Sequence, residues 1–169
     1  VSHRRLSNGD DKPYELNISW WSAMEDSSRD AKRFQYERFI LSQLLVMALK
    51  GVPAFYLPAL LASENDIKSF SMTGQRRDLN REKFKSENLL AVLNNPESNA
   101  NKNLKYLRNA MDVRSKLKQF HPCSQMKCLS KGRSDIVVIK RGKGPESVFA
   151  IHNMTENKIN YQLNDNDLP

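Results

Sequence analysis

The fold is indicated by the stretch KGVPAFYLP, residues 50–58, which joins two patterns. Before it, residues 30–50 repeat apolar side chains at helical spacing, and Lys50 and Gly51 are typical of a helix end. Within it, residues 52–57 form a short aromatic and branched run closed by proline, which predicts a strand that is apolar on both faces. A helix that leads into such a strand is half of a βαβ unit, so the sequence predicts an α/β fold with a parallel sheet.

The segment after this strand, residues 62–87, is polar and rich in turn residues, which predicts a long loop. It follows the carboxyl end of the predicted strand, where barrel enzymes build their active sites. The Asn and Ser residues of 94–103 predict a break, and residues 104–120 show a second helical pattern. From His121 onward, four short strand patterns separated by Gly, Pro or Asn predict an antiparallel meander over residues 126–129, 136–140, 148–152 and 159–163.

The start of the chain shows no clear period. Residues 1–13 contain turn chemistry at Asn8-Gly9 and are predicted to form a loop. The tryptophans Trp20 and Trp21 are predicted to pack in an aromatic cluster, although aromatic faces also suit the apolar faces of sugar rings.

The net charge of +8 is unevenly distributed, because residues 99–143 hold twelve Lys or Arg against the two acids Asp112 and Asp135. Such a cluster is typical of nucleic-acid binding and also of solvated helix faces. The segment contains few stacking aromatics and no recognition motif, so a nucleic-acid partner is not expected.

Two further features concern the environment of the protein. No apolar run is long enough to cross a membrane, so no membrane partner is expected. The two cysteines, Cys123 and Cys128, are too few for a disulfide scaffold or a zinc site. We therefore expect reduced thiols in a cytoplasmic protein.

The strongest local candidate for chemistry is TGQRRDLNR, residues 73–81, which holds three arginines, an aspartate and an asparagine within its last six positions. In the functional interpretation, Asp78 holds one guanidinium and directs it at a substrate oxygen, because the planar fork of arginine can bond two adjacent oxygens. A solvated, ion-paired loop explains the same composition.

A second candidate is the pair Tyr14 and Glu15 ahead of the tryptophans. The acids after the predicted strand, including Asp66, can serve as ligands or as a general acid, or simply form a solvated turn.

Four blocks, in order and with compatible spacing, resemble the sucrose phosphorylase branch of glycoside hydrolase family 13, the α-amylase superfamily. They are YELNISWWSA (14–23), GVPAFY (51–56), LLASEND (60–66) and RDLNR (77–81). The resemblance covers about residues 13–84. It implies a C-terminal fragment of a (β/α)₈ barrel, with residues 30–50 as the seventh helix and 52–57 as the eighth strand. Residues 1–120 would complete the barrel, and residues 121–169 would begin a small antiparallel β domain.

The resemblance also implies an activity, the retaining transfer of an α-glucosyl unit from a disaccharide-like donor to inorganic phosphate without a metal or organic cofactor. By position, Arg77 would hold the glucosyl unit, while Tyr14 and Glu15 would contact phosphate or the leaving acceptor. Sucrose-specific members commonly carry glutamine where this chain has Glu15, and glucosylglycerate-type members share the Tyr-Glu pair. Three further side chains are expected to support these residues: Asp66, Asp78 and Asn80.

The catalytic motifs of that family are missing from this sequence. A retaining transfer needs two carboxyl groups about 5–5.5 Å apart, and the family places them at earlier strands. The chain is therefore expected to begin downstream of them, to catalyse nothing alone, and to work with the N-terminal part of the same enzyme or in a homo-oligomer. The alternatives are an α-amylase-superfamily hydrolase or transglycosylase, a basic nucleic-acid-binding module, and a non-catalytic interaction module.

Overall fold

The computed structural model describes residues 1–25, 30, 32–130 and 132–163. It combines helices with two small antiparallel sheets, one of two strands and one of three. The first unit of the chain comprises Val1–Phe39 and Phe55–Lys105, and the second unit comprises Ile40–Ala54 and the residues from Tyr106 onward. The strands are β1 Ser2–Arg5, β2 Asp11–Glu15, β3 Met126–Cys128, β4 Ile136–Arg141 and β5 Val148–Asn153, and the helices are α1 Gln35–Ala48, α2 Leu57–Leu60, α3 Ile67–Thr73, α4 Ser86–Asn94 and α5 Asn99–Lys116.

The first unit opens with a hairpin of β1 and β2, in which Arg5 lies opposite Asp11. At its turn, Gly9 has a φ of +90°, and the Asn8 carboxamide oxygen accepts a 3.2 Å hydrogen bond from the Asp10 N–H. The turn at Asn8-Gly9 is therefore confirmed, but the loop predicted for residues 1–13 is wrong. Both strands are polar and mostly exposed, so they lack the alternation by which strands are recognised.

Helix α1 confirms the central part of the helix predicted for residues 30–50. Shortly after its end, Gly51 adopts a φ of +112°, which a side chain would make unfavourable. In the first unit, Phe39 of this helix is fully buried against Trp21, with 5.2 Å between the ring centroids. Ala59 and Ala62 complete this cluster.

Residues 52–57, predicted to be a strand, do not form one. No strand within the described residues pairs with this segment, and Leu57 already begins α2 with Pro58 in its first turn. Val52 is 79 % exposed and Tyr56 is 54 % exposed, although a strand in a covered parallel sheet would be buried. A strand satisfies its backbone hydrogen bonds by pairing with neighbouring strands, and the described residues offer this segment no such neighbour.

The loop predicted for residues 62–87 is also wrong, because it contains α3, a 3₁₀ turn over Arg76–Asn80 and the start of α4. Asp66 caps α3 by accepting a 2.9 Å hydrogen bond from the Ser69 N–H, and Gly74 ends it in a left-handed conformation. These capping residues define a helix too short to show a clear apolar period.

Helix α5 begins at Asn99, so the break predicted over residues 94–103 is shorter than expected. The Ser98 hydroxyl accepts a 3.1 Å hydrogen bond from the Asn101 N–H, as a helix-capping serine does. In the second unit, Leu107 of this helix is fully buried. The remainder of the predicted helix, up to Phe120, ends in a 3₁₀ turn.

The second unit contains the three-stranded sheet, in which β4 pairs with β5 from Ile136 opposite Asn153 to Arg141 opposite Val148. The predicted meander is thus confirmed for three strands. Its fourth strand, over residues 159–163, is not among the strands of the described chain. After β5 the Asn153 carboxamide instead donates a 2.6 Å hydrogen bond to the carbonyl of Asn157, which organises a turn. Residues 164–169, the end of the predicted β domain, lie outside the described residues.

Cys123 and Cys128 are both free and exposed. Among the described residues, no helix combines the length and the hydropathy needed to cross a membrane. The boundary predicted between residues 120 and 121 concerns a larger architecture and stays a prediction.

Arg141 closes the C-terminal end of α1 within the second unit. This side chain is fully buried, and its guanidinium donates hydrogen bonds to the carbonyls of Ala48 (3.0 Å), Leu49 (2.6 Å) and His121 (3.0 Å). The last carbonyls of a helix have no partner inside the helix and carry partial negative charge. A buried cation at this point therefore satisfies both their hydrogen bonding and their charge.

A second arginine, Arg114 of α5, donates to the carbonyls of Met47 and Gly51 beside it. The Phe120 ring lies 5.3 Å from the guanidinium carbon of Arg114 and 5.4 Å from that of Arg141. Burial lowers the pKa of both arginines, and the charge of Arg114 lowers the pKa of Arg141 further. Arginine stays charged in proteins, so two positive charges lie close together here. The backbone carbonyl oxygens and the face of the Phe120 ring stabilise both of them.

His152 of β5 is buried, and its Nε2 atom has no hydrogen-bond partner among the described residues. It lines a largely apolar cavity of about 210 Å³, which is also lined by Arg114. Burial lowers the pKa of His152 below its ordinary value. A proton on His152 would place a charge in this buried, largely apolar site.

We expect the free energy of unfolding of the chain to decrease as pH falls below about 6.5, the ordinary pKa of histidine. The pKa of His152 is lowered only in the folded state, so the unfolded chain binds this proton more readily. The stabilisation is fully present above that pH and is lost as pH falls toward the lower pKa of the folded state.

Urea unfolding at about pH 7.5 and about pH 5.5, followed by far-UV circular dichroism, measures this loss. The variant His152→Phe should show a smaller loss between the two pH values. The control His3→Phe, on the exposed strand β1, should lose as much stability between the two pH values as the unsubstituted chain does. An equal loss in all three chains would show that His152 is not responsible.

Candidate functional site

Tyr14 and Glu15 form the end of strand β2, where Glu15 lies opposite Ser2. Just beyond the strand, the Asn17 carboxamide oxygen accepts a 2.6 Å hydrogen bond from the Ser2 hydroxyl. Tyr14 is 56 % exposed, and Glu15 is half-buried. The hairpin therefore presents a phenol and a carboxylate from an anchored segment.

Arg77 lies on the 3₁₀ turn over Arg76–Asn80, which follows the glycine that ends α3. Its Nε–H donates a 3.1 Å hydrogen bond to the Oε2 atom of Glu15. The neighbouring Arg76 donates instead to the backbone carbonyl of Val1 at 2.5 Å. The structure thus brings Arg77 together with the carboxylate of Glu15, two residues that are far apart in sequence.

The electrostatics of this contact favour a charged guanidinium. The hydrogen bond to Glu15 raises the pKa of Arg77, as does the charge of Glu15, and hydrogen bonding to Tyr14 raises it further. The Arg77 side chain remains 52 % exposed. Because the bond to Glu15 uses Nε, the two terminal nitrogens supply further donors for hydroxyl or phosphate oxygens.

Asp78 was predicted to hold a guanidinium, and this prediction is wrong. Its carboxylate accepts a 2.6 Å hydrogen bond from the hydroxyl of Thr73, the last residue of α3. Glu15, which is distant in sequence, holds Arg77 instead. A sequence motif shows only neighbours along the chain, whereas the hairpin brings a second carboxylate to the same arginine.

The other two expected supporting residues have different surroundings. Asp66 caps α3, and hydrogen bonds from the Ser69 hydroxyl and N–H lower its pKa. The Oδ1 atom of Asn80 is buried and has no hydrogen-bond partner among the residues that the structure describes. Asp66 thus has a clear structural role, and Asn80 retains an unused acceptor at the end of the 3₁₀ turn that carries Arg77.

Side chains of residues 14–20 alternate in exposure, a pattern missed in the sequence. Leu16 is 70 % exposed and Trp20 is 41 % exposed, whereas Ser19 and Trp21 are buried. Only Tyr14 and Glu15 of this stretch belong to a strand, and the exposed positions beyond it carry the apolar side chains of Leu16, Ile18 and Trp20. The predicted packing of both tryptophans is therefore right for Trp21 and wrong for Trp20.

The basic segment 99–143 is largely engaged in contacts within the chain. Arg114 and Arg141 are directed at backbone carbonyls, and Lys131 lies outside the described residues. Four other basic residues form ion pairs with carboxylates: Lys102, Lys116, Lys118 and Arg133. Binding of nucleic acid depends on basic side chains that neutralise phosphates, so these contacts favour structural and solvated roles.

Comparisons with known proteins support an enzymatic parent. No protein-family model matches the chain. The glucosylglycerate phosphorylase of Allomeiothermus silvanus is 31 % identical over 157 residues, which cover 92 % of this chain and 28 % of the relative. The glucosylglycerate phosphorylase of Spirochaeta thermophila is 30 % identical over 151 residues, covering 89 % of this chain and 23 % of the relative. The sucrose phosphorylase of Streptococcus mutans is 24 % identical over 155 residues, covering 91 % of this chain and 29 % of the relative.

The chain spans less than a third of the length of these curated relatives. All three are phosphorylases, and each is similar over most of this chain. The resemblance found in the sequence is thereby confirmed, and the chain belongs to the family of glucosylglycerate and sucrose phosphorylases.

Proposed function

We propose that this chain is the C-terminal portion of a retaining α-glucosyl phosphorylase of glycoside hydrolase family 13. The parent enzyme transfers a glucosyl unit from an α-glucosyl donor to inorganic phosphate and releases α-glucose 1-phosphate. The observation that carries the proposal is the 3.1 Å contact between Arg77 and Glu15 in a chain related to phosphorylases. The catalytic carboxylates belong to the remaining part of the enzyme.

In this proposal Arg77 binds hydroxyl oxygens of the glucosyl unit with its terminal nitrogens. Tyr14 and Glu15 contact phosphate or the leaving acceptor. A carboxylate beside phosphate would repel it, and the adjacent guanidinium offsets that repulsion. Glu15 therefore has two tasks, to hold Arg77 in place and to accept hydrogen bonds from hydroxyl groups.

The acceptor is proposed to be glycerate rather than fructose. Glu15 stands where the resemblance places glutamine in sucrose-specific enzymes. The two glucosylglycerate phosphorylases are 31 % and 30 % identical to this chain, and the sucrose phosphorylase is 24 % identical. Both observations support a glucosylglycerate-type donor.

The architecture proposed for the parent is a (β/α)₈ barrel in the cytoplasm, with residues 1–120 in the barrel and 121–169 in a partial β domain. The 79 % exposure of Val52 supports this proposal, because neighbouring barrel strands would cover residues 52–57. These strands would come from the N-terminal part of the same enzyme or from a second copy in a homo-oligomer. Asp66, Asp78 and Asn80 are proposed to stabilise the segment that carries Arg77 without contacting the substrate themselves.

A protein that joins this chain to the rest of a phosphorylase is expected to convert glucosylglycerate and phosphate to α-glucose 1-phosphate and glycerate. Proton NMR of the product measures both turnover and retention of the α configuration. The 169-residue chain alone should show no turnover, because it lacks the two catalytic carboxyl groups.

Other products would identify the alternatives. Free glucose formed without phosphate would indicate a hydrolase, and transfer to a second sugar would indicate a transglycosylase. Absence of turnover with every α-glucosyl donor would reject the proposal. Strong salt-dependent retention of the chain on nucleic acid would then favour the basic binding module.

A further inference from the structure

Asn65 is bonded on two sides to the segment that continues from Tyr14 and Glu15. Its carboxamide oxygen accepts a 2.7 Å hydrogen bond from the Ser19 N–H, and its backbone N–H donates to the Ser22 hydroxyl at 3.1 Å. These contacts join residues 46 and 43 positions apart in the sequence. Ser19 is buried, so its N–H needs a partner from the protein.

The residue after Asn65 is bonded to the turn that carries Arg77. The Asp66 N–H donates a 2.8 Å hydrogen bond to the carbonyl of Leu79, which lies on the 3₁₀ turn over Arg76–Asn80. Asn65 and Asp66 therefore connect the segment of Glu15 with the turn of Arg77. The peptide link between them makes this connection short and stiff.

We propose that Asn65 is a positioning residue that keeps Glu15 and Arg77 in register. This inference rests on the proposed function for its consequence, because the pair is taken to bind the sugar and the phosphate. The Arg77–Glu15 bond of 3.1 Å is near the upper limit of a good hydrogen bond, so a shift of about 1 Å would break it. Displacements of that size can lower turnover by about 100-fold when they affect reacting groups.

Removing the side-chain acceptor of Asn65 should weaken the hydrogen bond between Arg77 and Glu15, although Asn65 is part of neither side chain. In the 169-residue chain, proton exchange of the Arg77 Nε–H is measured by ¹⁵N NMR. We expect Asn65→Ala to accelerate this exchange about fivefold or more, the factor expected for the loss of one ordinary hydrogen bond. Asn65→Asp keeps an oxygen at the same position and should restore slow exchange. Asn94→Ala, at the exposed end of α4, serves as the control and should have no effect.

A second variant keeps the test decisive if Asn65→Ala does not fold. Ser22→Ala removes the hydroxyl that accepts from the Asn65 N–H, and it should also accelerate exchange at Arg77. If a folded Asn65→Ala or Ser22→Ala variant exchanges the Arg77 Nε–H at a rate within about twofold of the unsubstituted chain, the positioning role is overturned.

The NMR readout separates this inference from the proposed function. Exchange at Arg77 does not depend on turnover, so it tests the role of Asn65 even if no phosphorolysis is found. In an active parent enzyme, Asn65→Ala should lower kcat/KM about tenfold and Asn65→Asp should recover most of it. Absence of phosphorolysis in the unsubstituted enzyme would reject the proposed function. Unaltered kinetics and unaltered Arg77 exchange in a folded Asn65→Ala variant would reject the positioning role alone.

Discussion

Replacement of Arg141 by methionine is expected to lower the free energy of unfolding by about 3 kcal/mol. The arginine is fully buried and donates to the carbonyls of Ala48, Leu49 and His121. Methionine is apolar and adaptable in shape, but it has no donor for these oxygens. Relief of the repulsion from Arg114 offsets only part of the loss. Urea unfolding followed by far-UV circular dichroism measures the change.

Two further variants show whether the cause is the buried guanidinium. Arg133→Met removes an exposed arginine that pairs with Asp135, and such pairs contribute little, so its effect should be much smaller. Arg141→Lys keeps the charge without the planar fork and should recover only part of the stability. Equal losses in Arg133→Met and Arg141→Met would contradict the special role of the helix end.

Arg77→Lys in the parent enzyme is expected to lower kcat/KM for phosphorolysis about 100-fold. Lysine keeps the positive charge, but its donors all lie on one nitrogen, so it does not reproduce a planar guanidinium whose Nε holds Glu15 while its terminal nitrogens reach a sugar. The present contact to Glu15 uses Nε, so the substitution disturbs both the anchor and the fork that it presents. Initial rates of α-glucose 1-phosphate formation over a range of donor concentrations measure the effect.

The neighbouring arginine provides a matched control. Arg76 lies on the same 3₁₀ turn, is exposed, and donates to the carbonyl of Val1 rather than to Glu15. Arg76→Lys should therefore leave phosphorolysis nearly unchanged. Equal kinetics for Arg77→Lys and the parent enzyme would show that the assignment of Arg77 to the sugar is wrong.

Local patterns predicted the elements whose signals are contained in their own residues. Helix α1 and strands β3, β4 and β5 follow from apolar period and from turn residues between them. The hairpin of β1 and β2 was missed because its strands are polar. Helix α3 was missed because the prediction relied on apolar period, which a helix of seven residues hardly shows, whereas its signals are the capping residues Asp66 and Gly74. The strand expected over residues 52–57 failed for a different reason, since its formation depends on neighbours that no local pattern supplies.

The candidate site shows the same division. The resemblance singled out Arg77, Tyr14 and Glu15, and the structure places the arginine against the carboxylate. The expected partner Asp78 was wrong because adjacency in sequence does not determine which carboxylate reaches a guanidinium. Asn65 was missed as a positioning residue because its hydrogen bond to Ser19 spans 46 positions, which only a folded chain reveals.

The unequal exposure of the two tryptophans gives the chain an optical reporter of its own. Trp20 and Trp21 are the two tryptophans of the sequence, and both lie in the first unit. Iodide in solution should quench the emission of Trp20, which is 41 % exposed, and largely spare Trp21, which is 4 % exposed. The unquenched emission then follows the Trp21–Phe39 cluster through unfolding without an added label.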